Sequence, residues 1–221
     1  YKVSVDAGFT CPTGDSTIST GGCRYCKNSS FSPGDRKTED IDEQIEKGIA
    51  RLRKRNINKY LVYFQSYTNT YAPVQKLERL YRAALEHEGV VGLCIGTRPD
   101  CVGEDVMSLL SEINKDTYVS LEIGIESVYD KTLEWVNRGH DFATTQKAIE
   151  RIKNKDIHVS GHYILGFPTE NRAEMLASAD TINQLEIDAI KIHHLHIVKN
   201  TDLAKIYKKS NFKLFSAREW I

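Results

Sequence analysis

The sequence predicts an α/β fold, a partial (βα)6 barrel, from three observations. Strand-like and helix-like patterns alternate along the chain, which favours parallel strands joined by helical crossovers. The strand patterns contain polar residues, which favours a barrel around a ligand over a doubly wound sheet with strands apolar on both faces. A full barrel of eight units averages about 250 residues, so six units take roughly 190. The chain of 221 residues therefore has room for six units and one long loop.

Six strands are predicted from short apolar or alternating runs that are bounded by turn residues. The second and third, YLVYFQ and VVGLCIG, are almost wholly apolar. The fourth, fifth and sixth mix polar with apolar residues, as in YVSLEIGIE and AIKIHHLHI. The six predicted ranges are 2–7, 60–65, 90–96, 118–126, 158–165 and 189–197.

Helices are predicted where apolar residues recur at intervals of three and four. In the first helix, Ile41, Ile45 and Ile49 lie on one stripe. Asn171 and Glu174 have the spacing of a capping box variant at the start of a later helix. The predicted helices cover 39–56, 74–88, 102–114, 129–136, 142–154, 172–185 and 201–209.

Composition excludes several classes of protein. The 30 Lys and Arg residues balance 30 Asp and Glu residues, which argues against a broadly basic protein that coats nucleic acid. One basic stretch, 51–59, is most simply a solvated helix end, with a tRNA contact as the alternative. Neither an apolar run of about 20 residues nor a targeting sequence is evident. We therefore expect no membrane association and a cytoplasmic location, in a chain whose natural start precedes Tyr1.

The loop after the first strand, residues 8–37, carries the most specific pattern. Cys11, Cys23 and Cys26 form a C-x11-C-x2-C motif with two glycines before Cys23. Three thiolates would leave one iron of a [4Fe–4S] cluster without a protein ligand, so that a small chelating molecule could bind it. The two glycines allow the backbone to wrap closely around such a cluster, and their N–H groups could donate to its sulfides.

Two other interpretations of the cysteines remain open. A closed zinc site needs four ligands and would have to recruit Cys94, Cys101 or a distant histidine. Alternatively, the three cysteines bind nothing. Cys94 lies in an apolar strand and is most simply a small buried residue, so neither Cys94 nor Cys101 is assigned to the cluster.

Together with the cysteine motif, stretches along the whole chain resemble the radical S-adenosylmethionine (SAM) family. The resemblance is greatest to the YhcC-like subgroup, which is related to the elongator-type and coproporphyrinogen-type proteins. The chain departs from the family pattern in CPTGDST, GFPTE and HHLHIVKNT, which bear on the substrate more than on the shared chemistry. The similar stretches are GGCRYC, YFQSYTNTYA, VGLCIGTRPDCV, LEIGIES, DKTLEWVNRGHDF, GHYILGFPTE and DAIKIHHLHIVKNT.

The resemblance implies a TIM-like barrel of the radical SAM type and two cofactors. The three cysteines would hold the [4Fe–4S] cluster, and its open iron would bind SAM. An electron, supplied by a donor such as flavodoxin or ferredoxin, would cleave SAM and give a 5′-deoxyadenosyl radical. The residues expected to bind the cofactors besides the cysteines are Tyr25, Gln65, Ser66, Glu122, Glu126, Arg138 and Gly166.

Glu122, Glu126 and Arg138 are each expected to bind SAM for a specific reason. Glu122 and Glu126 are four residues apart in one strand, so both side chains can face the interior. Carboxylates there suit the ribose hydroxyls of SAM, and an ion pair with a barrel lysine or arginine is the alternative. Arg138 resembles the arginine that binds the SAM carboxylate in related enzymes, a task that suits a bidentate guanidinium.

The remaining polar residues at strand ends are assigned to the substrate. Asp100 could instead cap the next helix. His194 and His196 share one strand face, with His193 on the other, and proton transfer suits a side chain that titrates near neutral pH. A second metal site would need a further ligand such as His162 or Asp6. We expect Arg98, Asp100, His162, Lys191 and His193 to bind substrate and Tyr67, His194 and His196 to be catalytic.

We therefore expect one radical SAM domain over residues 1–221, without the family's C-terminal extension. Its substrate would be a small molecule or a modified nucleobase. The narrower expectation is a lyase that cleaves queuine to a 7-aminomethyl-7-deazaguanine base. The alternatives are a tRNA-modifying radical SAM enzyme, which the neutral charge does not favour, and a non-catalytic iron–sulfur module.

Overall fold

The computed structural model describes residues 1–27 and 40–220, so residues 28–37 of the expected cluster loop lie outside it. All six strands of the sheet are parallel and follow one another in chain order, from β1 at one edge to β6 at the other. The strands are β1 (Lys2–Val5), β2 (Tyr60–Phe64), β3 (Val90–Thr97), β4 (Tyr118–Glu126), β5 (His158–Leu165) and β6 (Ala189–His194).

Helices connect successive strands, as the alternation of patterns predicts. A short 3₁₀ turn at Pro99–Cys101 precedes the third helix, and a final helix that the sequence patterns did not predict follows near the end. The helices are α1 (Ile41–Arg53), α2 (Val74–Leu85), α3 (Glu104–Ile113), α4 (Asp130–Trp135), α5 (Phe142–Lys153), α6 (Arg172–Asn183), α7 (Asp202–Ser210) and α8 (Ala217–Trp220). The partial (βα)6 barrel is thus confirmed.

The main apolar core lies between the sheet and the helices that cover its outer face. Val62, Leu93, Leu121 and Ile45 are wholly buried in it. In α1, a Cβ atom at Gly48 would lie only 2.3 Å from Cγ1 of Val3, so glycine lets the helix approach β1 closely. The outer face is therefore fixed by packing, which leaves the polar inner face for a site.

Among the predicted ends that differ from the structure, two matter for the site. β1 ends at Val5 rather than at residue 7, and β6 ends at His194 rather than at residue 197. The expected capping box is present, since Asn171 accepts from the backbone N–H of Glu174, whose side chain accepts from Asn171 N–H. None of the helices in the described part of the chain is long and apolar enough to cross a membrane.

Candidate active site

A cavity of about 260 Å³ opens on the inner face of the curled sheet. Residues from β2 to β6 and from the cysteine loop line it, near the carboxyl ends of the strands, where barrels place their active sites. The structure brings most of the predicted site residues to this cavity: Cys11, Tyr25, Cys26, Gln65, Ser66, Tyr67, Arg98, Glu122, Glu126, Arg138, His162, Lys191, His193, His194 and His196.

Three predicted site residues do not line this cavity. Cys23 is 8% exposed and lies behind it, against Arg138. Asp100 faces a different groove beside Cys101 and neither contacts the cavity nor caps α3, whose N-cap is Gly103. Asp100 instead accepts two hydrogen bonds from Arg98, at 2.8 and 2.7 Å.

Gly166 is the third predicted site residue that does not line the cavity. Its φ is +100°, and a Cβ atom there would come within 3.2 Å of the Phe215 ring. Glycine is therefore required by the turn after β5 and by its packing. The structure places Gly166 in a separate groove with Phe167 and Phe212 rather than in the lining of the cavity.

The cysteine loop is held against the barrel by backbone hydrogen bonds. Gly22, with φ +73°, donates to the carbonyl of Thr13 at 2.9 Å, which folds the loop back on itself. Asn137 donates to the carbonyls of Thr20 and Gly22 at 3.0 and 2.9 Å, and so ties the loop to the end of α4. The loop conformation thus depends on residues more than a hundred positions away.

The three cysteine side chains lie near one another and near polar groups. The Cys11 sulfur is 2.7 Å from the Thr68 hydroxyl, and the Cys23 sulfur is 3.7 Å from a guanidinium nitrogen of Arg138. Burial, followed by the neighbouring Cys23 and Cys11, raises the pKa of the Cys26 thiol to about 12. Thiols with such a raised pKa lose their protons readily only when a metal ion binds the sulfur in place of the proton.

The donor set fits a cubane iron–sulfur cluster. Cys94 is 2% exposed on the inner face of β3, near Lys2 and Glu122, and is a small buried residue as the sequence indicates. Within residues 1–27 and 40–220, no three His, Cys, Asp or Glu side chains converge on one point that could hold a single ion. A cubane places its cysteine-bound irons at separate corners, so its thiolates need no common point.

Two buried arginines next to the cysteines offer unused hydrogen-bond donors. Arg98 is 2% and Arg138 7% exposed, and the Nη2 of Arg98 donates to the Arg138 carbonyl at 2.7 Å. Arg98 Nη1 and Arg138 Nε are buried without a partner among the described residues. Buried donors are ordinarily satisfied, so these two suit a bound carboxylate such as that of the methionine part of SAM.

The two glutamates of β4 both face the interior, as expected, and both have protein partners. Glu126 lies 3.4 Å from the Arg138 guanidinium. Glu122, 4% exposed, pairs with Lys2 and accepts from His162 at 2.8 Å. The ion-pair alternative therefore describes both carboxylates better than ribose binding alone.

Strained backbone at two strand ends aims side chains into the cavity. Tyr67, just after β2, has φ +68°, and Glu126, the last residue of β4, has φ +64°. The pairing of β4 with β5 slips between Gly124 and Glu126, which is the signature of a β-bulge. Non-glycine residues at positive φ are uncommon and concentrate at functional sites.

The histidines come together at the β6 side of the cavity. The ring centroids of His194 and His196 are 4.0 Å apart, and His193 Nε2 is 3.4 Å from His162 Nδ1. All three histidines of this segment line the cavity, and His193 contacts His162 whereas His194 contacts His196.

Sequence reasoning missed two residues of this site. Lys2 pairs with Glu122 from β1 and lies 4.7 Å above the Tyr63 ring, and the Tyr63 hydroxyl also donates to Glu122. The alternation in KVSV, with Val3 and Val5 in the core, was a signal that Lys2 faces the interior.

Comparisons with known proteins agree with this geometry. A family model described as "Radical SAM superfamily" matches residues 16–182, and one described as "Radical_SAM C-terminal domain" matches residues 187–221. The protein YhcC of Escherichia coli is 41% identical over 211 residues, which cover 94% of this chain and 67% of YhcC.

More distant matches share the same fold or part of it. A tRNA uridine(34) acetyltransferase of Methanocaldococcus jannaschii is 28% identical over 134 residues, covering 59% of this chain and 24% of that protein. The structure of Elp3 from Methanocaldococcus infernus aligns with a TM-score of 0.76 and 20% identity, over 99% of this chain and 51% of Elp3. The chain therefore belongs to the radical SAM superfamily, whose members bind a [4Fe–4S] cluster and SAM.

Proposed function

We propose that this radical SAM enzyme acts on a small polar molecule or a modified nucleobase held between its cysteine loop and the histidines of β5 and β6. The observation that carries the proposal is the cavity itself, which has thiols and buried arginines on one side. On its other side lie His162, His193, His194 and His196. Ligand sites are concave and carry a few polar groups that fix orientation, as this cavity does.

The chain's own residues divide into two groups in this proposal. Cys11, Cys23 and Cys26 would hold the cluster, while Arg98 and Arg138 would bind the SAM carboxylate. When bound, the reduced cluster and SAM supply a 5′-deoxyadenosyl radical that abstracts a hydrogen atom. The protein's task is to position the substrate and keep water away, since the cofactors carry the difficult chemistry.

Other cavity residues would complete the SAM site. Tyr25 packs against Phe167 with ring centroids 6.0 Å apart, and this fixed aromatic surface would receive the adenine. Gln65 and Ser66 follow β2 at the cavity wall and would bind the amino group of SAM. We propose a reduced flavodoxin or ferredoxin as the electron donor and a location in the cytoplasm, where cysteines stay reduced.

The narrower proposal is a lyase that releases a 7-aminomethyl-7-deazaguanine base from queuine. Support comes from the polar groups that face the cavity: Lys191 and three histidines of the β6 segment can hydrogen-bond the hydroxyls of a cyclopentenediol.

A tRNA substrate is the second candidate, because one relative is a tRNA uridine(34) acetyltransferase by name. The basic stretch 51–59 gives it little support. That stretch runs from the end of α1 to the start of β2, and therefore lies at the amino-terminal ends of the strands, opposite the cavity. Arg53 is also already paired with Glu88 at 2.8 Å.

The test is anaerobic reconstitution with iron and sulfide, followed by dithionite, SAM and queuine. We expect 5′-deoxyadenosine and the 7-deazaguanine base by mass spectrometry. The Cys26→Ala variant should lose the cluster and both products, whereas Cys94→Ala, which changes a buried thiol that does not line the cavity, should retain them. Absence of 5′-deoxyadenosine from the cluster-loaded protein would favour a non-catalytic module. Its formation with tRNA but not queuine would favour the second candidate.

A further inference from the structure

A line of polar groups crosses the barrel from β1 to β6. Lys2 and His162 bind the two oxygens of the Glu122 carboxylate, with His162 Nε2 2.8 Å from Oε2. On the other side of the His162 ring, Nδ1 lies 3.4 Å from Nε2 of His193. The resulting chain links four strands and ends at the cavity, which His193 lines.

When both imidazole rings are neutral, one arrangement of protons satisfies every contact in this chain. An ionised carboxylate only accepts hydrogen bonds, so His162 must carry its proton on Nε2. A neutral His162 ring then presents the lone pair of Nδ1 to His193. His193 therefore donates through its Nε2–H, which leaves its own Nδ1 as the nitrogen that can accept a proton.

The charges around the chain suit this arrangement. Burial by itself raises the pKa of Glu122, but hydrogen bonds from His162, Lys2 and Tyr63 outweigh it and hold that pKa at about 2. Burial, followed by the adjacent His162, lowers the pKa of His193. At neutral pH Glu122 is therefore ionised and His193 is a neutral base.

We propose that Glu122, His162 and His193 form a proton relay in which His193 removes a proton from the bound substrate. In this step an O–H or N–H bond of the substrate breaks, its electron pair stays on oxygen or nitrogen, and the proton binds Nδ1 of His193. The Nε2 proton of His193 moves to Nδ1 of His162. The positive charge thereby comes to rest beside Glu122, and no electron is transferred. His162 and Glu122 are positioning residues that hold the tautomer, as the carboxylate does in a catalytic triad.

The proton relay indicates a substrate that carries a hydroxyl group, and this step of the inference rests on the proposed function. A hydroxyl on a carbon that has lost a hydrogen atom is far more acidic than an ordinary alcohol, because the oxyanion delocalises the unpaired electron. A base beside that carbon is therefore most useful when the substrate carries a hydroxyl there. The charged or titratable groups that surround His193 are Glu126 from β4, His162 from β5, and Lys191 and His196 from the β6 segment.

The first test is independent of catalysis. We would record ¹⁵N spectra of histidine-labelled, cluster-reconstituted protein at neutral pH. Two tautomers with the proton on Nε2 are expected for His162 and His193, and Glu122→Gln should change the shifts of both. His158→Asn is the matched control, since His158 lies on β5 but contacts Ser120 at 3.1 Å instead. A Glu122→Gln spectrum in which both rings keep their shifts would overturn the relay.

The second test uses turnover of queuine as the probe. His193→Ala should lower product formed per 5′-deoxyadenosine by about 10²- to 10⁴-fold, the usual contribution of general base catalysis. Added imidazole should restore part of it, which a merely structural role would not allow. An undiminished ratio in His193→Ala would refute the base. No 5′-deoxyadenosine from wild-type protein would refute the proposed function, and no product from queuine would refute the lyase proposal. In either case the spectra still decide the relay.

Discussion

The Arg138 guanidinium lies 3.7 Å from the Cys23 sulfur, and 3.4 Å from the Glu126 carboxylate. Both members of the first contact are buried, at 7% and 8% exposure. A positive donor beside a ligating thiolate offsets the negative charge that a cluster gains when it is reduced. In the proposed site, Arg138 would therefore adjust the cluster as well as bind SAM.

Arg138→Gln should lower the reduction potential of the reconstituted cluster, because it removes a positive charge beside Cys23. The measurement is a redox titration followed by electron paramagnetic resonance. Arg138→Lys keeps the charge and should give a smaller shift. Equal potentials in all three proteins would show that this contact does not act on the cluster.

Arg98→Lys should weaken SAM binding by about 10- to 100-fold, since a hydrogen bond to a charged group contributes roughly 1.5–3 kcal/mol. The lysine retains the charge but loses the second donor that would face the carboxylate. Anaerobic isothermal titration calorimetry measures the affinity. Arg151→Lys is the control, because Arg151 binds Glu104 and the Val102 carbonyl outside the cavity. Unchanged affinity in Arg98→Lys would remove Arg98 from the SAM site.

The fold was predictable because its determinants are local. Every strand and helix up to α7 follows from a short apolar run or from a period of two or of three to four residues, and the capping box follows from the spacing of Asn171 and Glu174. The cysteine motif was equally local, and together with stretches along the whole chain it resembled a known family. Burial of one face of each element then forces the sheet and its covering helices together.

The detailed contacts of the site were not predictable because they are not local. Lys2 meets Glu122 across the barrel interior, from strands that are not neighbours in the sheet. The positive φ of Glu126 accompanies a β-bulge that no residue pattern announces. Asp100 accepts two hydrogen bonds from Arg98, which hold it away from the cavity. The spacing of the residues alone does not show whether Asp100 binds Arg98, a ligand or a helix end.

Asn171→Ala should destabilise the protein by about 1 kcal/mol, because it removes the N-cap of α6. For a chain of this size that corresponds to a drop in Tm of roughly 2–4 °C. Thermal unfolding followed by circular dichroism measures it. Arg172→Ala, at the next and exposed position, should change Tm little, and equal Tm values for both variants would contradict the capping role.

Glu122 should make the free energy of unfolding depend on pH. Burial raises the pKa of Glu122, but His162, Lys2 and Tyr63 together lower it from 4.5 to about 2. Because the folded-state pKa lies below the unfolded value, the stabilisation is present above pH 4.5 and is lost as the pH falls towards 2. The shift corresponds to about 3 kcal/mol.

We therefore expect the free energy of unfolding of wild-type protein to fall steeply between these two pH values, and that of Glu122→Gln to fall about 3 kcal/mol less. Urea unfolding at a series of pH values measures both. Glu186→Gln is the control, since Glu186 pairs with Lys153 on the surface and should leave the curve within about 0.5 kcal/mol of wild type. Parallel curves for wild type and Glu122→Gln would mean that Lys2 and His162 do not hold Glu122 ionised, and the proton assignment of the relay would fail with them.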